Sequence, residues 1–256
     1  MELTIVGCSG SLSGPRSPAS SYLITAPYRG STFRLVVDLG AGSLGSLYGL
    51  INPAEVDAIA ISHLHPDHCI DLCAFHVASR YAPDGPWKPV DLYGPPGTPQ
   101  RISRAYDPSA DSAEPEDLTS TFSFQAWQSV QQIGPFTINT AVMAHPVPTY
   151  GMRIATDDAV LAYSADTGPS SALLELARDA DLLLCESAFV GDDNPADLHL
   201  TGRQAAEHAS AAGVGKLMIT HVPPWHRPET VLAEARPYFD GPVDLARRGV
   251  TVSVAG

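Results

Sequence analysis

The run His63-Leu64-His65-Pro66-Asp67-His68 gathers three imidazoles and a carboxylate within six residues, directly after an apolar run ending Ala60-Ile61. Imidazole nitrogens and carboxylate oxygens together suit zinc or a similar borderline cation. His63 and His65, two apart, can converge on one cation while Asp67 and His68 turn toward a second. From this chain's own composition, chance produces the pattern roughly once in a thousand such chains. Polar groups clustered at a strand end also need partners if they are buried.

Three further residues stand at the ends of strand-like runs. His145 follows Ala141-Val142-Met143-Ala144, Asp166 follows Leu161-Ala162-Tyr163-Ser164-Ala165, and His221 follows Leu217-Met218-Ile219-Thr220. One such residue alone is usually a cap or a turn residue. Three of them behind a strong motif read as the rest of a shared cleft. The remaining histidines, His76, His208 and His226, read as structural or exposed. Trp225 either stacks on a ligand or anchors the helix that follows. Cys69 and Cys73, four apart, face the core from one side of a helix.

These side chains need elements to hold them. Short apolar runs at Leu3–Val6, Tyr22–Ala26, Leu35–Val37, Val56–Ile61 and Val90–Tyr93 predict strands in the first half. Helices are expected at Leu44–Ile51, Asp71–Tyr81 and Gln100–Ala105. The second half predicts strands at Phe136–Met143, Met152–Ala155, Val160–Tyr163, Leu182–Cys185 and Leu217–Ile219, with helices at Ser171–Ala180, Gly202–Ala212 and Glu229–Phe239. Thr201 and Gln204 form a capping-box pattern, and Gly213 is a natural stop for that helix. Strands and helices mixed in two comparable halves imply an α/β (α+β) fold of two sheets covered by helices on their outer faces. A single domain over residues 1–256 is expected. The acidic, Ser-rich stretch Asp107–Thr121 reads either as a solvated loop or as a lid.

Composition narrows the function classes. The chain has 256 residues, 44% hydrophobic and 17% charged, enough to bury a sizeable core and too apolar for global disorder. No run of 18 apolar residues exists, so no membrane-spanning helix is expected. The start shows no secretory pattern and the four cysteines lack paired CxxC spacing, so the expectation is reduced thiols and a cytoplasmic protein. The formal charge is −13, and the 15 basic residues are scattered, with only Arg247-Arg248 adjacent. That balance disfavours a long nucleic acid as partner. It does not exclude a small anion entering a locally positive pocket.

With these motifs in view, the chain resembles the metallo-β-lactamase superfamily along nearly its whole length. The resemblance implies a four-layer αββα sandwich and two divalent metal ions, zinc first, with manganese or iron(II) as the other candidates. It also implies that metal one takes His63, His65 and His145, that metal two takes Asp67, His68 and His221, and that Asp166 bridges them. The oxygen-reducing diiron branch carries Glu at the position of His65, so this chain's histidine points to hydrolysis.

His199-Leu200-Thr201, with Cys185-Glu186-Ser187 upstream, resembles the phosphodiesterase branch that includes the tRNA 3′-processing endonuclease. There the equivalent histidine contacts the phosphate and assists the leaving group, and the glutamate orients it. His199 and Glu186 take those roles by resemblance, and Asp67 would help orient the water. The long basic arm of the tRNA enzymes is missing, because only 20 residues separate His145 from Asp166. The segments Val6–Ser11, Ser17–Ser20, Ala144-His145-Pro146 and Thr220–Trp225 look closest to actinobacterial phosphodiesterases that degrade cyclic nucleotides. The expected function is hydrolysis of 3′,5′-cyclic nucleotides to 5′-monophosphates through a metal-bridging hydroxide. The alternatives are tRNA 3′-end processing, metal-dependent hydrolysis of another ester, lactone or thioester, and a non-catalytic interaction module that kept the fold, against which the intact ligands at all seven positions argue. A small phosphodiester substrate and a homodimer are the expected partners.

Overall fold

The computed structural model describes residues 1–109 and 116–255. Strands β1 (Glu2–Gly7), β2 (Ser21–Tyr28), β3 (Ser31–Val37), β4 (Ala58–Ala60), β5 (Val90–Gly94) and β6 (Phe122–Ala126) belong to one sheet. Strands β7 (Val130–Ile133), β8 (Phe136–Val142), β9 (Tyr150–Ala155), β10 (Val160–Tyr163), β11 (Leu182–Glu186), β12 (Leu217–Thr220) and β13 (Val243–Leu245) form the other. The last strand, β14 (Thr251–Ser253), returns to pair antiparallel with β1. Each sheet therefore has seven strands. Each is mixed: antiparallel through β1–β3 and β7–β10, parallel through β3–β6 and β10–β13.

Alternation within the central strands explains the layers. Leu35 and Val37 of β3 enter the core between the sheets, while Val36 faces the helices on the other side. In β11, Leu182 and Leu184 join the inter-sheet core, and Leu183 and Cys185 pack under the second set of helices. A strand buried on both faces has to be apolar throughout, and these are. Helices α1 (Ser43–Tyr48), α2 (Pro66–Cys69), α3 (Asp71–Arg80) and α4 (Thr98–Tyr106) occur between strands of the first sheet. Helices α5 (Ser171–Ala177), α6 (Gly202–Ala212) and α7 (Pro228–Ala235) do so in the second. The result is the four-layer αββα sandwich.

The differences from the sequence reading are physical. All four strands without a sequence signal, β6, β7, β13 and β14, lie at the edges of the two sheets. Their side chains are largely half-buried or exposed, so no two-faced apolar run marks them. The helix expected to reach Ala180 stops at Ala177, before the left-handed turn at Asp179. The helix expected over Glu229–Phe239 ends at Ala235, where Pro237 turns the chain into a 3-10 turn. The expected strand Val56–Ile61 contributes only Ala58–Ala60 to the ladder, and the helix expected to reach Ile51 stops at Tyr48.

Part of the acidic stretch Asp107–Thr121 lies outside the described residues. In its described part Leu118 is buried in the first helix-side core, and Thr121 Oγ1 lies 2.7 Å from Nδ1 of the buried His76. Leu118 and Thr121 thus anchor its C-terminal end, while Glu116, Asp117, Thr119 and Ser120 are exposed. Among the described residues no helix is long and apolar enough to cross a membrane.

Candidate metal centre

The titratable residues converge beyond the carboxyl ends of the central parallel strands, where an open α/β sheet offers a crevice. His63 follows β4, His65 caps α2, and Asp67 and His68 lie within that short helix. His145 lies in the loop after β8, Asp166 after β10, and His221 directly after β12. Pro66 at the start of α2 presets the helical turn that separates the two halves of the motif.

Two clusters result, one of His63, His65, His145 and Asp166, the other of Asp67, His68, Asp166 and His221. In the first, Nδ1 of His65 is 3.1 Å from Nε2 of His63 and 3.2 Å from Nε2 of His145. The outer nitrogens are engaged elsewhere. Nδ1 of His145 donates to the Leu198 carbonyl at 3.0 Å, and Nδ1 of His63 lies 3.0 Å from Ser62 Oγ. Ser62 Oγ donates its own hydrogen to Asp38 Oδ2 at 2.8 Å, so it accepts from His63. Both histidines therefore turn an Nε2 lone pair inward. Burial is the main cause that holds His63, His65 and His145 below the ordinary histidine pKa, which keeps them neutral.

In the second cluster, Oδ1 of Asp166 is 3.2 Å from Nε2 of His68, and Oδ2 is 3.4 Å from Nε2 of His221 and 3.6 Å from Nε2 of His63. Asp67 Oδ2 is 3.5 Å from Nε2 of His68 and 3.7 Å from Nε2 of His221. His221 has its Nδ1 2.9 Å from Ser20 Oγ, and burial likewise lowers its pKa. Burial opposes a charge on His68, but Asp166 and Asp38 outweigh it and raise its pKa well above the ordinary value. Burial would raise Asp166, yet His221, His68 and His63 hold it well below the usual carboxylate range.

Do these residues fit a metal pair? Ligand atoms held 2.0–2.1 Å from a tetrahedral zinc ion stand roughly 3.3 Å apart, and the separations above scatter around that value. Nε2 of His68 and Oδ1 of Asp166 face each other at 3.2 Å without the geometry of a hydrogen bond, and neither has another partner among the described residues. Buried polar atoms left that way are costly, and a cation touching both offsets the cost. Asp166 reaches both clusters: Oδ1 faces His68, and Oδ2 lies between His221 of the second cluster and His63 of the first. The donor set is suited to divalent cations.

The third group, Asp166, Glu186 and His199, has a different character. Glu186 ends β11, is fully buried, and accepts from the backbone N–H of Thr167 at 2.9 Å and of Ala188 at 3.0 Å. His199 Nδ1 lies 2.7 Å from Glu186 Oε1, and its ring stands between His145 and His221, 5.5 and 5.7 Å away by centroid. With its oxygens already committed, Glu186 orients an imidazole rather than binding a cation. Burial works against a charge on His199, but Glu186 outweighs it and pushes the pKa up to about 9.

Asp38, which the sequence reading does not single out, ties the second layer together. It accepts from the Ser62 N–H at 2.7 Å, Ser62 Oγ at 2.8 Å, the Tyr163 hydroxyl at 2.8 Å and His68 Nδ1 at 2.8 Å. Its signal was available: an acidic residue directly after the apolar run Leu35–Val37, just as Asp166 follows β10. Asp38, Ala165 and His221 all leave their strands through left-handed backbone, with φ of 57°, 52° and 56°. Gly40 and Gly10 permit the tight approach, since a Cβ there would collide with the Asp67 carbonyl and the His221 carbonyl respectively.

A family model described as beta-lactamase superfamily domain matches residues 36–222. The uncharacterized protein Rv1339 of Mycobacterium tuberculosis is 43% identical over 247 residues, covering 95% of this chain and 88% of that protein. The probable metallo-hydrolase YhfI of Bacillus subtilis is 30% identical over 254 residues, covering 97% and 98%. The crystal structure of YhfI superposes with a TM-score of 0.85 at 26% identity, over 98% of this chain and 99% of that one. Human tRNase Z, short form, shares the fold with a TM-score of 0.75 at 19% identity over the whole of both chains.

Proposed function

This chain belongs to the metallo-β-lactamase superfamily of metal-dependent hydrolases, and from that premise we propose that it is a dinuclear-metal phosphodiesterase opening 3′,5′-cyclic nucleotides, such as cyclic AMP, to 5′-monophosphates. The observation that carries the phosphodiesterase part of the reading is the 2.7 Å contact between His199 and Glu186 beside the two ligand clusters, and size and charge carry the choice of a small substrate.

His63, His65 and His145 would hold one cation, Asp67, His68 and His221 the other, and Asp166 both. When bound, two divalent ions, zinc by preference, supply positive charge to the phosphoryl oxygens and acidify a water. The remaining work falls to the chain's own groups. Asp67 orients the attacking water through the carboxylate that faces His68 and His221. Glu186 fixes the His199 ring through Nδ1, which leaves Nε2 to meet the substrate. Glu186 raises the pKa of His199, and the protonated ring gives a proton to the departing O3′ as the P–O3′ bond breaks. The product is a 5′-monophosphate.

Size and charge support a small substrate. The span between His145 and Asp166 is occupied by the β9–β10 hairpin, closed by the Thr156 N–H donating to the Ala159 carbonyl at 2.9 Å. It carries no extended basic arm, and the chain's charge of −13 repels a long polyanion. The His199–Glu186 pair would serve a tRNA 3′-end endonuclease equally well, and that is the second reading.

One panel tests both. The zinc- or manganese-loaded protein is offered cyclic AMP, cyclic GMP, bis(4-nitrophenyl) phosphate, a precursor tRNA and a lactone. The proposal expects 5′-monophosphate from the cyclic nucleotides at a kcat/KM well above that for the other substrates. Preferred cleavage of the precursor tRNA would establish the second reading, and preferred lactone hydrolysis would reject both.

A further inference from the structure

A second cavity, of about 410 Å³, lies where the loop after β1 meets the ends of β12 and β13. None of the seven clustered ligand residues lines it, although Thr220 and Val222 on either side of His221 do. Its volume falls in the range of small-molecule sites. Ile219, Val222 and Leu245 give it an apolar floor. Around that floor stand Arg16, Arg247 and Arg248, three of the 15 basic residues of the chain. Among the described residues none of the three belongs to a salt bridge, and Glu229 is the single carboxylate lining the cavity.

That grouping runs against the chain as a whole. Lack of a salt bridge is common here, since among the described residues only Arg34, Arg178 and Arg203 of the thirteen arginines have one; what sets Arg16, Arg247 and Arg248 apart is that all three line one cavity. Three guanidinium groups around an apolar floor offer two-pronged hydrogen bonding to phosphate oxygens, together with a surface for a flat apolar body. Inorganic phosphate would use the first feature and leave the second idle.

We infer that this cavity is a second ligand site, separate from the metal centre, for a small organic phosphate with a flat apolar body, of the nucleoside monophosphate kind. The inference does not depend on the phosphodiesterase reading, because it rests on a different set of residues.

Calorimetric titration of the metal-loaded full chain with 5′-AMP, and separately with inorganic phosphate, tests it. Both are repeated with Arg247→Ala/Arg248→Ala and with Arg247→Lys/Arg248→Lys. The alanine variant should bind one equivalent of 5′-AMP fewer than the wild type, or bind that equivalent at least tenfold more weakly. The lysine variant should lie between them. Hydrolysis of bis(4-nitrophenyl) phosphate should be the same in all three, since both arginines lie outside the centre, and unchanged turnover also reports an intact fold. At this site 5′-AMP should bind at least tenfold tighter than inorganic phosphate. Equal stoichiometry and affinity for wild type and alanine variant overturns the inference, as does equal affinity for the two probes.

Discussion

Nδ1 of His68 donates to Oδ2 of Asp38 across 2.8 Å, with both side chains fully buried. The same carboxylate holds Ser62, which in turn holds His63. One buried acid therefore sets the ring orientation of a histidine in each cluster. Partners of this kind typically change metal affinity by 10–100-fold. Asp38→Asn, which keeps the shape and removes the charge, should weaken zinc binding by about that factor in a competition titration with a chromophoric chelator. Asp38→Ala should in addition cost about 3–5 kcal/mol of stability by leaving buried partners uncompensated. Wild-type zinc affinity in Asp38→Asn would show that Asp38 serves packing alone.

Removal of metal should affect the fold as well as turnover. The inward-facing nitrogens and carboxylates repay their burial through a cation, and an ion present at a thousand times its Kd stabilises the folded state by about 4 kcal/mol. Chelation should abolish hydrolysis and lower Tm, and added zinc should restore both. A Tm indifferent to chelator and zinc would argue against a metal centre at these residues.

His199 is assigned to the transition state. His199→Ala should lower kcat and kcat/KM together by about 10²–10⁴-fold while two metal ions per chain are retained. Undiminished turnover at full metal content would remove His199 from the reaction.

The pH behaviour of His199 follows from Glu186. The raised pKa means that the ring's contribution to stability is fully present below the ordinary histidine value near 6.5 and is lost as pH rises through about 9. A proton donor with that pKa likewise fails as pH rises through it. Glu186→Gln removes the carboxylate, so the ring should titrate at lower pH in the metal-free protein, as followed by NMR. A midpoint unmoved by the substitution contradicts the assignment.

The capping box of α6 connects the site to the helix layer. Thr201 Oγ1 accepts from the Gln204 N–H at 3.2 Å, and the Thr201 N–H donates to Gln204 Oε1 at 2.9 Å. Thr201→Ala should cost about 1 kcal/mol of stability by chemical denaturation. Because Thr201 follows His199 by two residues, kcat should fall modestly with metal content unchanged. A stability equal to the wild type would mean that the cap contributes nothing.

The amino-acid sequence alone determined the two-faced apolar strands, the α6 cap, and the residue types of the metal motif, because each is written in local spacing. It also placed His145, Asp166 and His221 after strand-like runs, where the chain leaves the sheet. Edge strands escaped it, since a strand with one neighbour and a wet face leaves no apolar run, as β13 and β14 show. Only the tertiary structure decided that Asp166 reaches both clusters, and that Asp38, 30 residues from His68, orients its ring. The grouping of Arg16 with Arg247 and Arg248 around one cavity is likewise a product of β14 returning to pair with β1. Contacts of this kind depend on how two sheets stack and which strand ends then face one another, and no spacing along the chain encodes that.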